Sequence, residues 1–464
     1  MQQATKKATG YKTEKITKMK FQNLFRIFTL LLCFIQVTNI AHAQQPNLYN
    51  QVKTNVTFPD GFDKLKADEI LTTVTIAKLN LIRDGKITQN KDWDNYLNAI
   101  ASKLLQNESE LLKKIKVSSV NELSANAISF IDGSIYLNQG LIIHLQTEAE
   151  IAFIVAHEIA HVMKQHALKE IELQSKIIQA EINTDNAFAR NYRHLSHSKE
   201  NEYEADGIAL KLIIQAGYNP TIGINALTLL DTDTRLFPRI NVAHELSKQL
   251  NNSLAQLDST EWIKDKRHDV KSLLDIEVES TDKYSTHPDI SKRLASLFEQ
   301  LKIYEPSDKN LSYQISDSIN FRKLQHQLSV LALNTAMNRF EYPTAIMLIL
   351  TNKFNWDSEL RNTTLLKSLY FIAQSKENKF DDELLKRCTI KIDSNMVDLN
   401  KILYAYDNDK FKKLVYGYAK KLVDSDKIEE YYFYYGLCNE AYIGKQTSQI
   451  IFQNLLTKFP NGKY

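Results

Sequence analysis

The chain has 464 residues, more than one hydrophobic core usually fills, so two or three domains are expected. Its 43% hydrophobic and 24% charged residues, with only 12 Gly and 8 Pro, exclude a disordered or collagen-like protein. The formal charge of +3 belongs to the N-terminus: without residues 1–43 the chain carries 51 basic and 54 acidic residues, which excludes a nucleic-acid footprint.

In chain order, a basic stretch runs into the apolar segment Phe25 to Val37 and then into Ala41-His42-Ala43. This is the pattern of a secretory signal peptide, with cleavage expected before Gln44. The rival reading is a membrane anchor, but the run is shorter than the ~20 residues a span needs and a small-x-small site follows it. Met19 offers a second start, with a more typical signal than Met1. Two cysteines follow the signal, Cys388 and Cys438. Export permits a bridge between them, two buried thiols fit equally well, and the absence of a CxxC pair excludes a cysteine zinc cluster.

Helical spacing of apolar residues predicts helices over 68–83 and 93–105, separated by Asp84-Gly85. Residues 115–120 alternate. The two apolar runs in 127–137 flank Asp132-Gly133, a hairpin signal because both turn positions can take positive φ. A small sheet is therefore expected before a largely buried helix over 147–171. Further helices are expected over 172–192 and 200–216, the second stopped by Gly217. Residues 234–283 are less regular and charged. From about residue 307 the pattern is helical and rich in Tyr, Phe, Lys and Asp. In its last part, Gly436, Tyr432, Ser448, Phe452 and Pro460 fit one degenerate tetratricopeptide-like repeat, whereas Asn439 and Leu455 do not; an unrelated helical bundle fits as well.

His157-Glu158-Ile159-Ala160-His161 places two imidazoles at i and i+4 on one helical face, where both can bind one metal ion. Zinc, one per chain, is the natural occupant. Glu158 beside them is placed to take a proton from a water and return it to a leaving amine. The bland alternative is a structural metal site or two packing histidines. A catalytic zinc needs a third protein ligand, and Glu202 and Asp206, four apart, share one face of a downstream helix. Glu202 can reach the metal while Asp206 accepts the outer proton of a ligating imidazole. Glu204 should point to a different face. Glu200, His194 and His197 compete with Glu202 on spacing alone, and a solvated acidic first turn is the reading without a metal.

Together these residues resemble the HtpX, BepA and CAAX-prenyl-protease type of zinc peptidase, family 48 of the metallo class. The resemblance runs from Asn126-Ala127 through Gly133 to Leu141 and Glu148 to Val162, resumes at Ser198 to Pro220, and ends with Thr286-His287-Pro288 and Arg293. It implies that His157, His161 and Glu202 bind zinc, that Glu158 is the general base and that Asp206 supports a ligand. It also implies that Gly133, Ser134, Ile135, Tyr136 and Leu137 form an edge strand for substrate. His287 matches a family histidine that caps the metal or helps stabilise the oxyanion, with Arg293 as its neighbour; a His beside Pro is otherwise a turn residue. Lys199 stands where many relatives carry Arg. Lacking the membrane spans of HtpX and the prenyl proteases, the chain is most similar to soluble, exported BepA-like members.

The expected architecture is α+β: a signal peptide (1–43), a mostly helical zincin-type domain with a small sheet (44–305) and an α-helical domain (306–464). The expected activity is endopeptidase action on misfolded or unassembled envelope proteins, in the periplasm or as a secreted protein, with membrane association left open. The helical domain would bind partners. Two alternatives are a zinc aminopeptidase, for which no acidic N-terminus-binding motif is evident, and a chaperone dominated by its helical tail.

Overall fold

The computed structural model describes residues 62–87, 91–169, 187–230, 237–257, 290–304, 318–351, 356–379 and 393–464, with the further positions 52–54, 56, 58, 354 and 384. The proposed signal peptide, Cys388, His287 and the domain boundary expected at residue 305 lie outside the described residues. Residues Met1–Asp84 and Gly85–Tyr464 form two compact units. In the first, helix α1 (Lys64–Arg83) starts at Asp63, whose carboxylate accepts from Lys66 N–H at 2.9 Å and so satisfies an otherwise orphaned donor.

The second unit opens with α2 (Lys91–Leu104) and a three-stranded sheet of β1 (Lys116–Val120), β2 (Ala127–Ser129) and β3 (Ser134–Asn138). The order is β1-β3-β2, with β3 parallel to β1 and antiparallel to β2. The predicted hairpin is present, but only Gly133 of the two turn residues has positive φ (+88°). Gly133 N–H donates to Phe130 O, and Ser134 N–H to the Asp132 side chain, so Asp132 closes the turn as an acceptor instead of adopting left-handed geometry. A Cβ on Gly133 would lie 2.4 Å from Lys114 O, a second reason for glycine there.

After the sheet come α3 (Gln139–His144) and α4 (Glu148–Met163), and α4 carries the His157-Glu158 motif. Thr147 and Glu150 form a reciprocal capping box at its start: the Thr147 hydroxyl accepts from Glu150 N–H at 3.3 Å and the Glu150 carboxylate from Thr147 N–H at 2.8 Å. Every residue from Ala149 to Ala160 is buried. An apolar helix with no solvated face is stable only inside a core, and each buried Ile or Phe there contributes ~1.5–3 kcal/mol relative to exposure. The helix expected to run to residue 171 stops at Met163, because Gln165 takes a left-handed φ of +54° and Lys164 N–H and Gln165 N–H bond back to Ala160 O and Val162 O. A second helical stretch begins at His166.

The two helices expected over 172–192 and 200–216 are, where described, one: α5 (Ala187–Gln215) is continuous through Glu200. It ends as predicted at Gly217 (φ +77°), with Tyr218 N–H returning to Ile213 O. The long α5 packs along α4. Then follow α6 (Pro220–Ile224), α7 (Val242–Leu250) within the stretch read as irregular, and α8 (Ile290–Tyr304), which packs on α5.

Beyond residue 317 the described chain is helical: α9 (Ser318–Asn338), α10 (Tyr342–Leu350), α11 (Ser358–Asn378), α12 (Ser394–Ala405), α13 (Asn408–Ser425), α14 (Glu429–Tyr442) and α15 (Lys445–Lys458). Helices α9 to α14 share one continuous apolar core with the sheet and α4. Polar ties reinforce it. Gln325 Nε2 on α9 lies 3.1, 3.1 and 2.7 Å from the carbonyls of Ile142, Ile143 and Leu145, the acceptors that the end of α3 leaves without helical partners. Trp93 Nε1 of α2 donates to Leu324 O at 2.9 Å. The last two helices form a hairpin in which Gly436 lets the Phe452 ring approach: a Cβ there would lie 2.6 Å from it. Cys438 on α14 is a buried free thiol, its pKa pushed upward by burial.

Candidate metal centre

The i,i+4 spacing on α4 does what helical geometry demands: His157 and His161 meet, with their Nε2 atoms 3.0 Å apart. Helix α5 passes beside them and delivers Glu202, whose Oε2 is 3.5 Å from His157 Nε2 and whose Oε1 is 3.4 Å from His161 Nε2. These three side chains offer two nitrogens and a carboxylate oxygen within 4.8 Å of one another. That donor set suits zinc, and it leaves room for a fourth ligand. Glu200, which competed for this role in the sequence, is exposed, and the side chains of His194 and His197 lie outside the described residues. His157 and Glu202 are buried, whereas the His161 side chain is 18% exposed, so solvent reaches the centre on the His161 side.

Behind His157 stands a charged cluster. Its Nδ1 lies 3.0 Å from Asp206 Oδ1, one helical turn beyond Glu202 on α5. Arg293, from the first turn of α8 and only 1% exposed, grips Asp206 with Nε at 2.7 Å and an Nη at 2.6 Å, and its other Nη lies 3.0 Å from Glu202 Oε2. A two-point guanidinium–carboxylate grip fixes orientation as well as charge. The sequence placed Arg293 only beside His287; the fold puts it against both Glu202 and Asp206, the carboxylate behind His157.

The charges sort the proton affinities. Burial disfavours a charged His157, but the Asp206 and Glu202 carboxylates outweigh it and push the ring's pKa up to about 10. Burial likewise opposes the Asp206 charge, yet Arg293 and His157 hold its pKa below the usual carboxylate range; burial also opposes the Arg293 charge, which Asp206 and Glu202 favour overall. Two carboxylates against one guanidinium leave this cluster negative. The field that would protonate His157 is the field that would favour a divalent cation between the rings. Glu158 follows His157 on α4 and is buried.

His166 and Lys164, which spacing did not single out, join Glu204 beside His161. His166 Nδ1 lies 2.9 Å from His161 Nδ1, and its Nε2 is 3.0 Å from Glu204 Oε2. Glu204, correctly expected on a different face from Glu202, pairs with Lys164 Nζ at 2.6 Å. Burial keeps the His166 pKa below the usual histidine range, and Lys164 and then His166 bring Glu204 down to about 2. A continuous helix would carry residue i+5 away from His161. The break at Gln165 returns His166 to it, and the polar pair Lys164-Gln165 after the apolar run was the one sequence sign of that break.

The segment expected as a substrate edge does not lie at an edge. Strand β3, which contains Ser134 to Leu137, is paired on both sides, because residues 116–120 return as a parallel neighbour that local alternation could not assign to it. The outer side of β1 is covered: Asn98 of α2 bonds both the N–H and the carbonyl of Val117, and Ile87 bridges Val120. The remaining edge is β2, which lies against α4. Phe130 N–H bonds Ser134 O and Asn138 N–H bonds Asn126 O, so by alternation the backbone groups of Ala127 and Ser129 face outward. Ile128 between them is 47% exposed.

Comparison with known proteins agrees with this geometry. A model of peptidase family M48 matches residues 91–301. The chain is 25% identical over 194 residues to a beta-barrel assembly-enhancing protease of Yersinia pestis, covering 37% of this chain and 38% of that protein. It is 26% identical over 170 residues to the mitochondrial metalloendopeptidase OMA1 of Arabidopsis thaliana, covering 34% and 33%. The beta-barrel assembly-enhancing protease of Escherichia coli strain K12 is 24% identical over 160 residues, covering 30% and 32%. The chain thus spans about a third of the length of these curated relatives.

Proposed function

We propose, on the premise that residues 91–301 belong to peptidase family M48, that this protein is a zinc endopeptidase in which His157, His161 and Glu202 hold the metal. The observation that carries this reading is the convergence of two imidazole nitrogens and one carboxylate, with His157 and Glu202 buried and the His161 side chain 18% exposed. Zinc, when bound, supplies Lewis-acid polarisation of the scissile carbonyl and makes water a stronger acid. Glu158 takes the proton of the attacking water and returns it to the departing amine, so the peptide C–N bond is replaced by a carboxylic acid and a free amine. Asp206, braced by Arg293, accepts the Nδ1 proton of His157 and keeps its Nε2 lone pair directed at the metal.

An extended substrate segment adds to β2, using the outward carbonyl of Ala127 and the outward N–H and carbonyl of Ser129 for ladder bonds, the Ala127 N–H already donating to Asn126 Oδ1, with Ile128 for apolar contact. That mode needs unfolded chain, which supports misfolded or unassembled envelope proteins as the substrate class. The relatives named as beta-barrel assembly-enhancing proteases support the same class. Export through residues 1–43 would deliver the protein to that compartment, and no helix among the described residues is long and apolar enough to cross a membrane. His287 is retained as a residue that caps the metal or assists the oxyanion, and the helical region from residue 306 as a partner-binding domain.

The test compares the purified native chain with Glu158→Gln by metal analysis and casein cleavage. About one zinc per chain in both and cleavage only in the native chain is the expected result. Cleavage that survives the substitution, or release of single N-terminal residues only, overturns it.

A further inference from the structure

We propose that His166 is a positioning residue for the metal centre, holding His161 from behind through a proton-ordered relay that ends on Glu204 and Lys164. The proposal rests on His161 binding zinc through Nε2. That nitrogen is the one facing His157 and Glu202, so it must present a lone pair, and the ring proton then sits on Nδ1. Nδ1 faces His166 Nδ1 at 2.9 Å. Two ring nitrogens at that distance can share only one proton between them, so His166 must accept there and carry its own proton on Nε2. Nε2 donates to Glu204 Oε2 at 3.0 Å, and the other Glu204 oxygen is held by Lys164 at 2.6 Å. Each proton in the chain has one possible place once the metal is bound.

The two ligating rings are thus supported differently. His157 leans on a carboxylate locked by a buried guanidinium. His161 leans on a neutral imidazole, itself buried, whose far side is tied to Glu204 and Lys164 with side chains 39% and 41% exposed. Three of the four acids of α5 divide the work: Glu202 reaches the metal, Asp206 backs one ring, and Glu204 backs the other through His166. His166 stands at this place because the left-handed Gln165 ends α4 and folds the chain back.

The experiment measures zinc Kd by competition with a chromophoric chelator, alongside thermal melting, for the native chain and for His166→Phe, His166→Gln, Glu204→Ala and Glu204→Gln. His166→Phe keeps a ring but loses both bonds, and its zinc Kd is expected to rise about 10- to 100-fold, the range seen when a partner behind a metal ligand is removed. In His166→Gln the amide oxygen accepts from His161 and the amide nitrogen donates to Glu204, so Kd should return to within a few-fold of native. Zinc Kd in His166→Phe within twofold of native, whatever its melting temperature, overturns the relay. If His166→Phe does not fold, Glu204→Ala decides, measured beside Glu204→Gln, whose amide oxygen still accepts from His166: a rise of at least threefold in Glu204→Ala supports the relay and an unchanged Kd there overturns it. A native chain that binds no zinc overturns the reading beneath, and the relay with it.

Discussion

At the residue scale, Arg293 shows what a buried charge does when its neighbours are chosen for it. It pairs with Asp206 and Glu202 at once, and neither carboxylate is left with only its histidine for compensation. Arg293→Met removes the one guanidinium and leaves two buried carboxylates, so the chelator-treated protein should lose about 3 kcal/mol in urea unfolding. Zinc should restore part of that loss by supplying positive charge at the same place. Equal stability of variant and native chain would show that the cluster is not held by Arg293. Glu202→Ala, in contrast, should abolish stoichiometric zinc while leaving the fold intact in circular dichroism. The meeting of His157 and His161 was legible in the sequence because a helix is local: four residues of spacing is already a distance in space. Glu202 needed the packing of α5 on α4, which no local pattern states. His166 was illegible because a single left-handed residue changes which side chains meet.

At the element scale, the strand expected to meet substrate proved to be the centre of its sheet. Period-two alternation finds a strand and its faces, but an edge is defined by what is missing beside it, and the parallel pairing of β1 with β3 joins segments whose partners lie 18 residues apart in the chain. The remaining edge of this sheet is β2, and the substrate is proposed to pair there. Ser129→Pro removes one outward N–H, a change that edge strands tolerate, and should raise KM for unfolded substrates several-fold with little change in melting temperature. Unchanged steady-state kinetics would show that substrate does not use this edge. The capping box at Thr147 and Glu150 explains why α4 starts where it does. Its stop at Met163 was missed because a backbone φ of +54° at Gln165 is not a glycine signal.

At the scale of the whole molecule, helices α9 to α14 do not stand apart from the sheet and α4; they complete one core. Gln325 is the clearest polar tie, and Gln325→Leu leaves buried carbonyls unanswered, so it should cost ~2 kcal/mol in denaturant unfolding. A second tie joins Glu122 near β1 to Arg339 at the end of α9, with an Nη–Oε2 distance of 2.8 Å, and Lys86 adds another contact at 2.7 Å. Burial opposes the Glu122 charge, but Arg339 and Lys86 prevail and hold its folded pKa below 4.5. A carboxylate lowered in the folded state stabilises above its unfolded pKa and loses that contribution as pH falls through the folded value. The stability advantage of the native chain over Glu122→Gln should therefore be full at pH 7 and shrink below pH 4.5. Urea midpoints at pH 7 and pH 3.5 check it, and a constant difference would refute the linkage.

Residue order alone specified the meeting of His157 and His161, the glutamate beside them, the mixed helix and strand content, the glycine stop at Gly217 and the family resemblance. Each is written in spacings of a few residues, over which backbone geometry leaves little choice. Which acid comes to lie beside the two rings, which strand is exposed, how Arg293 and His166 come to stand behind those rings, and how the helical tail joins the core were decided by tertiary packing. Those relations link residues tens to hundreds of positions apart, and only burial of the shared apolar surface brings them together.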